Sequence, residues 1–585
     1  MMFAIFGKYL YDNLAFTLKA HTQKESKKAF KAIEKYKNQY YFLGYIQYEF
    51  YKYLEDKNYK SKEPFLYFFA FKTRKIFANE EKKLDFYPSF SSNLNQEKYF
   101  ENFNKVKDAI AKGQSYQANL TQELHLQSNL SLYESFLSLY PKQNTPYKAY
   151  MKNEFLELAS FSPELFFKIK NKKIITKPMK GTIKRSNNPK EDEKLKDSLK
   201  CDEKTISENV MIVDLLRNDI SKLIKKHSLK CKLFKVKTYP TLHQLISKIS
   251  GKLKKDLGYF EIFKALFPCG SITGAPKLET IKLIENLEQR KRGIYCGAIG
   301  LIHKNKAKFS VAIRTLEKKN NDDFLRYGVG SGLVWDSQKQ DEFEELKLKS
   351  KILKPDFYLF ETMYYKNHSI LFFKEHLQRI LNSAKFFGFN GEKLKKDFEN
   401  ILLRKDKKAH FTSLENFNDF VFKNKYYFSK STFLQKGKKA VRLKLFKDGF
   451  YEFDFFDIKE NSSDKLLLSN ELIKINFLNH HKTSLRSLYD MNSKLWKENT
   501  CYDIAFFDEK GMLCEGSRTN IIVKINNTYF TPYAKNCLNG IYRQILLKYK
   551  LIKEKDITKN ELLNAKEIYA INSLRGLKKV KYKFL

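Results

Sequence analysis

Alternating and helical patterns of apolar residues divide the first part of the chain into strands and helices. Residues 42–49 alternate in polarity and are rich in aromatic side chains, which predicts a β-strand. Between residues 99 and 112 apolar side chains recur at helical spacing, and the pattern ends at Gly113, as is typical of a helix C-terminus. Residues 202–220 predict a second helix, in which Glu208 lies at the edge of an apolar face.

Length and composition indicate several domains and no single basic patch. The chain has 585 residues, 42% of them hydrophobic, so two or three domains with sizeable cores are expected. The formal net charge is +44, but the lysines are spread along the whole chain among acidic and aromatic residues. We therefore expect no nucleic acid partner, although a basic surface would attract a dianionic substrate.

Cysteine usage and the apolar runs bear on location. The seven cysteines include no C-x-x-C pair and are odd in number, which is typical of reduced thiols in a cytosolic protein. Apolar runs such as residues 65–71 are too short to span a membrane, and the N-terminus lacks a signal-peptide pattern. We expect a soluble, cytoplasmic protein that has no membrane partner.

The stretch Lys177-Pro178-Met179-Lys180-Gly181-Thr182 predicts a tight polar turn beside an amine. Backbone N–H groups near such a glycine can approach an anion closely. A lysine becomes a nucleophile when partial desolvation or neighbouring cations allow its amine to be neutral. By itself this hexapeptide would be interpreted as an exposed basic turn.

Five further motifs accompany this turn in a fixed order: Ser162-Pro163-Glu164-Leu165-Phe166-Phe167, residues 207–219, residues 267–277, Arg314-Thr315 and Gly328-Val329-Gly330-Ser331-Gly332. In this order and spacing they resemble the chorismate-utilising enzymes, namely anthranilate, aminodeoxychorismate, isochorismate and salicylate synthases. The resemblance covers roughly residues 40–353. Aminodeoxychorismate synthase component I carries Pro-Ile-Lys-Gly-Thr, where anthranilate synthase has alanine in place of the lysine. Here Lys180 keeps the lysine, and Met179 replaces the isoleucine with little change in volume.

This resemblance implies the fold and the chemistry of the first half, residues 1–354. The implied fold is an antiparallel β-sandwich flanked by helices, within an α+β protein. The implied catalytic residues are Lys180 and Glu164, and Glu208 and Glu345 are the implied Mg²⁺ ligands. Mg²⁺ prefers carboxylate oxygens and retains several waters. Without its neighbours, Glu208 would be interpreted as a solvated helix glutamate.

The resemblance also implies the substrate contacts. The matching positions are Gly181, Thr182, His243, Thr273, Tyr295, Arg314, Gly328, Gly330 and Lys349. Arg314 suits a bidentate clamp on a carboxylate. His243 alone would be interpreted as a structural histidine, and only its context suggests a contact with substrate.

A new set of motifs begins after Pro355, which predicts a short basic linker. The motifs are residues 357–363, residues 373–380, Ser383-Ala384, His481-Lys482-Thr483-Ser484, residues 514–521, residues 540–543 and residues 571–576. Their order resembles the class IV, fold-type IV pyridoxal-phosphate enzymes, which include branched-chain and D-amino-acid aminotransferases and aminodeoxychorismate lyase. The resemblance implies a two-lobed domain over residues 355–585. Residues 404–440, lysine-rich and weakly patterned, are interpreted as the connection between the lobes.

For this half the resemblance implies pyridoxal 5'-phosphate as cofactor. Lys482 would form the Schiff base, and Glu515 would pair with the pyridine nitrogen. The other implied cofactor contacts, several of them to the phosphate, are Arg379, Asn520, Ile541, Tyr542 and Ser573. Because Tyr542 replaces a threonine found in many relatives, one side-chain contact to the phosphate is expected to be missing.

Together the two halves suggest a bifunctional enzyme that makes 4-aminobenzoate for folate synthesis from chorismate and ammonia. The chain has no Cys-His amidotransferase signature, so a separate glutamine amidotransferase is the implied source of ammonia. By analogy, two copies would pair through the C-terminal half. The alternatives are a first half of the anthranilate synthase type, a second half that is an amino-acid aminotransferase, or a basic nucleic-acid binder.

Overall fold

The computed structural model describes residues 2–78, 84–92, 94–186, 188–238, 242–320, 322–353, 356–403, 411, 413–423, 427–431, 433 and 436–584. They form two compact units, Met1–Pro355 and Asp356–Leu585, which we call unit 1 and unit 2. Both units mix helices and strands, which confirms the α+β class. The linker predicted at Pro355 lies outside the described residues.

The strands of unit 1 are β1 (Ala4–Phe6), β2 (Tyr9–Ala20), β3 (Tyr41–Ile46), β4 (Leu66–Ile76), β5 (Pro88–Ser92), β6 (Gln117–Ser128), β7 (Tyr147–Lys152), β8 (Leu156–Ser162), β9 (Leu165–Lys170), β10 (Lys173–Lys177), β11 (Met179–Lys184), β12 (Lys230–Thr238), β13 (Leu242–Lys252), β14 (Gly274–Ala275), β15 (Ala298–His303), β16 (Lys306–Val311), β17 (Thr315–Lys319) and β18 (Leu325–Leu333). Within the described residues they pair antiparallel in one continuous order, β6–β18–β17–β8–β7–β1–β2–β4–β3–β15–β16–β9–β10–β13. β5 and β14 add to β6, and β11 and β12 add to β13.

The helices of unit 1 are α1 (Gln23–Tyr36), α2 (Tyr51–Glu55), α3 (Gln96–Ala111), α4 (Leu132–Leu139), α5 (Pro189–Cys201), α6 (Glu203–Ser221), α7 (Tyr259–Leu266), α8 (Lys277–Glu288) and α9 (Lys339–Ser350). The helices predicted over residues 99–112 and 202–220 are confirmed as α3 and α6. The strand predicted over residues 42–49 ends early, at Ile46. There the buried carboxylate of Glu49 accepts the backbone N–H groups of Arg292 and Gly293, and the chain leaves the sheet.

The long sheet has apolar side chains on both faces. In β4, Leu66 and Phe68 pack in a core that includes residues of α1, α6 and α7, whereas Tyr67 and Phe69 pack in a second core. This second core also receives side chains from β1, β7 and β8, whose other faces pack under α3, α4 and α9. The result is two sheet halves around a shared core with helices outside, which confirms the predicted β-sandwich and explains the apolar run at residues 65–71.

Unit 2 has two sheets. The first contains β19 (Leu359–Lys366), β20 (Ser369–Leu371), β21 (Phe428–Lys430), β22 (Lys438–Leu445) and β23 (Tyr451–Phe456), in the order β21-β20-β19-β22-β23. The second has the order β26-β25-β24-β31-β30-β27-β28-β29 and contains β24 (Lys465–Ile473), β25 (Asp503–Asp508), β26 (Leu513–Gly516), β27 (Asn520–Ile525), β28 (Thr528–Thr531), β29 (Lys553–Glu554), β30 (Ile568–Asn572) and β31 (Gly576–Phe584). The helices are α10 (Phe373–Phe387), α11 (Glu392–Asp397), α12 (Glu399–Leu402), α13 (Leu414–Lys423), α14 (Ser487–Asp490), α15 (Ser493–Lys497), α16 (Ile541–Lys548) and α17 (Lys559–Leu563).

The interpretation of residues 404–440 as the connection between the lobes is wrong for the residues that the structure describes. They include α13, β21 and the start of β22, and both strands belong to the first sheet. The chain passes from the first sheet to the second between Phe456 and Lys465. The adjacent Lys438 and Lys439 at the start of β22 interrupt its alternation.

Candidate active sites

Lys180 lies on β11 and contacts helix α6. A register shift between Lys180 and Thr182 places Gly181 at a φ of +67°, which glycine adopts without strain. A Cβ at this position would lie 2.4 Å from Cγ2 of Thr205, so the glycine lets the strand approach the helix. Nζ of Lys180 lies 3.1 Å from Oε2 of Glu208, which is about one helical turn after Thr205.

Strand β18 brings a second ion pair to the same place. Nζ of Lys349 on α9 donates to the carbonyl oxygen of Gly330 at 2.6 Å and pairs with Oε1 of Glu345 at 2.6 Å. Two residues along the strand, a Cβ built on Gly332 would lie 3.1 Å from Nζ of Lys180. Both lysine–glutamate pairs therefore lie beside residues 330–332 of β18.

Glu164 is a buried carboxyl that is influenced by the charges of both lysines. Its side chain is 7% exposed, and Oε1 accepts a hydrogen bond from Oγ of Ser271 at 2.7 Å. Burial raises the pKa of this carboxyl, while the hydrogen bond and the charges of Lys180 and Lys349 oppose the rise. A carboxyl with a raised pKa is suited to deliver a proton to a leaving group.

Arg314 presents a guanidinium that makes no hydrogen bond or ion pair with any described residue. Its backbone has a φ of +52°, and its carbonyl oxygen accepts the N–H of Phe161 at 2.9 Å. A non-glycine residue in this region costs free energy, about 1 kcal/mol or more, and persists only where the surroundings impose it. An unpaired guanidinium held in this way can bind a carboxylate through two parallel hydrogen bonds.

Three other predicted substrate positions are in close-packed surroundings. A Cβ on Gly328 would lie 2.3 Å from the ring of Tyr295, so this strand position admits only glycine. Oγ1 of Thr273 donates to the carbonyl oxygen of Cys269 at 3.0 Å, and the carbonyl oxygen of Thr273 accepts the N–H of Asn119 at 2.7 Å. These contacts hold Thr273 in place without a direct contact to Lys180 among the described residues.

His243 is engaged by the protein at both ring nitrogens. Nε2 lies 3.0 Å from Oδ1 of Asp192 and Nδ1 lies 2.9 Å from Oγ1 of Thr238, and the side chain is 1% exposed. The position therefore resembles a satisfied structural histidine. The side chain of Thr182 lies outside the described part of the chain.

In unit 2 one cavity is lined by every residue that was predicted to bind the cofactor: Arg379, Lys482, Glu515, Asn520, Ile541, Tyr542 and Ser573. Lys482 makes no ion pair with a described residue. Mainly because of burial, the pKa of its amine is lowered to about 7. The positive charge of Arg379 adds to this shift, and the negative charge of Glu361 opposes it. An amine with this pKa is neutral in a large fraction of molecules near pH 7, as Schiff-base chemistry requires.

Glu515 lines the same cavity. Its Oε1 accepts a hydrogen bond from the hydroxyl of Tyr489 at 2.6 Å, and its Oε2 accepts the backbone N–H of Leu538 at 3.1 Å. Nδ2 of Asn479 donates in turn to the Tyr489 hydroxyl at 3.1 Å. Burial raises the pKa of Glu515 to about 7, and these hydrogen bonds limit the rise.

Arg379 is held by a buried carboxylate. Nε donates to Oε1 of Glu361 at 2.7 Å, Nη2 donates to Oε2 at 2.6 Å, and Nη1 donates to the carbonyl oxygen of Asn539 at 3.0 Å. Nδ1 of His376 lies 2.7 Å from the same carboxylate. Although burial opposes the shift, Arg379 and His376 hold the pKa of Glu361 well below its usual range. Two of the five guanidinium N–H groups remain for a ligand.

Ile541, Tyr542 and Asn520 lie at or beside the start of helix α16. Helix α16 begins at Ile541 without a side-chain cap, and an open helix N-terminus is suited to bind an anion. The Tyr542 hydroxyl donates to Oδ1 of Asn418 at 2.8 Å, away from the helix start. Nδ2 of Asn520 donates to the carbonyl oxygen of Leu538 at 2.9 Å, which fixes the chain that leads into α16.

No group of three or more His, Cys, Asp or Glu side chains among the described residues is arranged to hold a metal ion. No helix in that part of the chain is long and apolar enough to cross a membrane.

Comparison with known proteins finds one family match in each unit. Residues 79–355 match the model of the chorismate binding enzyme family, and residues 456–582 match the model of amino-transferase class IV. The chain thus contains a region similar to chorismate binding enzymes and a region similar to class IV aminotransferases. Both matches agree with the resemblances inferred from the motifs.

Relatives match the region that is similar to chorismate binding enzymes. Aminodeoxychorismate synthase component 1 of Escherichia coli is 38% identical over 268 residues, which are 45% of this chain and 59% of that protein. Anthranilate synthase component 1 of Aquifex aeolicus is 33% identical over 278 residues, 47% of this chain and 55% of the relative. The chain thus spans less than two thirds of the length of these relatives. The crystal structure of anthranilate synthase component I from Streptococcus pneumoniae has the same fold, with a TM-score of 0.52 and 22% identity over 60% of this chain and 92% of that one.

Three residues at these sites are not among the predicted ones. In unit 1, Ser271 contacts Glu164, and it lies inside a motif that the sequence already singles out. In unit 2, Glu361 also lies inside a motif, whereas Tyr489 belongs to none. Tyr489 lies on the short helix α14, seven residues after Lys482, and no motif in the sequence indicates its role.

Proposed function

We propose that this chain makes 4-aminobenzoate from chorismate in two reactions, one in each unit. Unit 1 replaces the C4 hydroxyl of chorismate with an amino group, and unit 2 removes pyruvate from the product. The observation that carries the proposal is the position of Lys180, whose amine lies 3.1 Å from Glu208 and whose positive charge lowers the pKa of the buried Glu164. The E. coli relative is named as an aminodeoxychorismate synthase component, which agrees with a lysine here.

In unit 1 the proposed reaction uses Lys180 as nucleophile. The amine attacks C2 of chorismate, the ring double bond shifts, and the C4 hydroxyl leaves with a proton from Glu164. Ammonia then adds at C4 and the lysine is released, so that chorismate and ammonia give 4-amino-4-deoxychorismate and water. Arg314 is free to hold a substrate carboxylate.

The proposed Mg²⁺ site consists of Glu208 and Glu345. Carboxylate oxygens are the donors that Mg²⁺ prefers, and one or two carboxylates with retained waters suffice. Each of these carboxylates already holds a cation, the ammonium of Lys180 or of Lys349. When bound, the metal would hold a substrate carboxylate and add positive charge near the leaving group.

Pyridoxal 5'-phosphate, which a class IV aminotransferase domain implies, is the proposed cofactor of unit 2. The cavity fits it: Lys482 offers an amine with a lowered pKa, Glu515 a carboxylate, and the start of α16 an open anion site. When bound, this cofactor supplies an electron sink for the substrate carbon attached to nitrogen. Lys482 would take the proton from C4, and pyruvate would leave as the ring becomes aromatic. The two N–H groups left on Arg379 would contact the phosphate.

Two variants separate the reactions. Lys180→Ala is expected to abolish formation of 4-amino-4-deoxychorismate while still converting the supplied intermediate to 4-aminobenzoate. Lys482→Ala is expected to accumulate the intermediate from chorismate, ammonium and Mg²⁺. Both are measured by chromatography of the products. Equal loss of both activities in either variant would refute this division of labour.

The alternatives are less favoured. A lysine at 180 argues against an anthranilate synthase, because that branch of the family has alanine there. The pairing of a chorismate-aminating unit with a class IV unit favours a lyase over an amino-acid aminotransferase. We further propose a cytoplasmic location, a separate glutamine amidotransferase as the source of ammonia, and pairing of two chains through unit 2. We also expect no binding of nucleic acid.

A further inference from the structure

In unit 1 the proposed nucleophile and a proposed metal ligand form a single ion pair. Nζ of Lys180 lies 3.1 Å from Oε2 of Glu208, and each side chain is 16% exposed. Lys180 makes no other ion pair or hydrogen bond with a described residue. The carboxylate that would hold the divalent cation is therefore occupied by the amine that has to attack the substrate.

We propose that Lys180 and the divalent cation compete for Glu208, so that metal binding displaces the lysine and makes it available to the substrate. This inference rests on the proposed function and adds an order of events to it. The metal binds first, and the nucleophile is released by that binding. Lys180 thus lowers the affinity of the site for metal, and the metal in turn raises the accessibility of Lys180.

The charges of the site require this competition. A divalent cation at Glu208 would lie within a few ångströms of the ammonium group, and two cations at that distance repel each other strongly in a partly buried site. A hard divalent cation prefers carboxylate oxygens and carries twice the charge of an ammonium group, so Glu208 attracts it more strongly. By linkage, the free energy by which the Lys180–Glu208 pair weakens metal binding equals the free energy by which bound metal weakens the pair.

The second ion pair behaves differently. Lys349 pairs with Glu345 at 2.6 Å, but it also donates to the carbonyl oxygen of Gly330 at 2.6 Å. When Glu345 turns to a metal ion, this backbone contact can keep Lys349 in place. Lys180 lacks such an anchor among the described residues, so of the two lysines it is the one that metal binding would release.

Gly332 lets the Lys180 amine lie close to strand β18. A Cβ on this residue would lie 3.1 Å from Nζ of Lys180 and 2.9 Å from Nε2 of Gln117. Both atoms are the ends of flexible side chains, so a side chain at 332 would push the amine away from its present position. The glycine therefore permits the position that the amine takes in its pair with Glu208.

The test measures metal binding without substrate. The full chain is titrated with Mn²⁺, and free Mn²⁺ is followed by electron paramagnetic resonance. Lys180→Met is expected to bind Mn²⁺ more tightly than the parent by about tenfold, within the range typical of coupled sites. Lys347→Met, which removes an exposed lysine paired with Glu344 on the same helix as Glu345, is the matched control and is expected to leave the affinity unchanged. Glu208→Gln is expected to weaken binding.

The reciprocal effect is measured on the parent chain. Lysines are acetylated briefly with and without Mg²⁺, and the modified peptides are quantified by mass spectrometry. Mg²⁺ is expected to increase modification of Lys180 severalfold and to leave that of Lys347 unchanged. Equal Mn²⁺ affinity in the parent and Lys180→Met, or unchanged or reduced modification of Lys180 with Mg²⁺, would overturn the inference while the metal site stands. No Mn²⁺ binding by any variant would refute the metal site itself and the inference with it.

Discussion

The lowered pKa of Lys482 predicts that this lysine destabilises the cofactor-free protein. Its folded-state pKa is about 7, whereas a lysine in the unfolded chain titrates near 10.5. Between these values the unfolded state binds more protons than the folded state, so stability rises with pH. The destabilisation is fully present below pH 7 and disappears above pH 10.5.

The expected size follows from this shift. At 1.36 kcal/mol per pKa unit, the penalty is about 4 kcal/mol at pH 7 and about 1.5 kcal/mol at pH 9.5. Lys482→Met removes the titrating group. The variant is therefore expected to be more stable than the parent at pH 7, and the advantage should shrink by about 3 kcal/mol at pH 9.5. Changes in packing do not depend on pH, so this difference isolates the charge.

The assay uses the two tryptophans of the chain, Trp335 in unit 1 and Trp496 in unit 2. In a Trp335→Phe background, the fluorescence of Trp496 reports unfolding of unit 2 in urea. Lys494→Met, which removes a lysine whose side chain is 82% exposed, is the control and is expected to change stability by less than about 0.5 kcal/mol at either pH. A gain from Lys482→Met that is the same at pH 7 and pH 9.5 would refute the reasoning.

Three further changes test other contacts. Glu361→Gln breaks the buried ion pairs with His376 and Arg379. It is expected to destabilise unit 2 by about 3–5 kcal/mol in urea titrations. A loss of stability below about 1 kcal/mol would contradict these ion pairs. Gly328→Ala places a methyl group against the ring of Tyr295. The variant is expected to lose about 1–3 kcal/mol of stability and most of the amination activity. A fully active variant would contradict the close packing. Tyr489→Phe removes a hydrogen bond that lowers the pKa of Glu515. The acid limb of the lyase pH profile is therefore expected to shift to a pH about one unit higher. An unchanged profile would argue against this role of Tyr489.

The sequence predicts which residues converge in unit 2. Lys482 and Glu515 are 33 residues apart, and the order of the motifs around them places both at one cavity, as the structure describes. Local periodicity was also sufficient to predict helices α3 and α6. Both are long and amphipathic, and both begin with a capping side chain.

Side-chain partners were not predictable, because they depend on tertiary contacts. Nothing in the pattern indicates that Arg379 is held by Glu361, 18 residues before it on another element, or that Glu49 ends β3 by accepting N–H groups from residues 292 and 293. The contact of Lys180 with Glu208 joins a strand and a helix 28 residues apart. The lysine-rich composition of residues 404–440 led to the wrong interpretation as a connection, because it obscured the patterns of α13, β21 and the start of β22.

Product analysis tests the central claim most directly. The purified chain is incubated with chorismate, ammonium, Mg²⁺ and pyridoxal 5'-phosphate, and the products are separated and identified by mass spectrometry. The account predicts 4-aminobenzoate and pyruvate in equal amounts. Anthranilate would contradict the assignment of Lys180, and 4-amino-4-deoxychorismate that accumulates without pyruvate would contradict the assignment of unit 2.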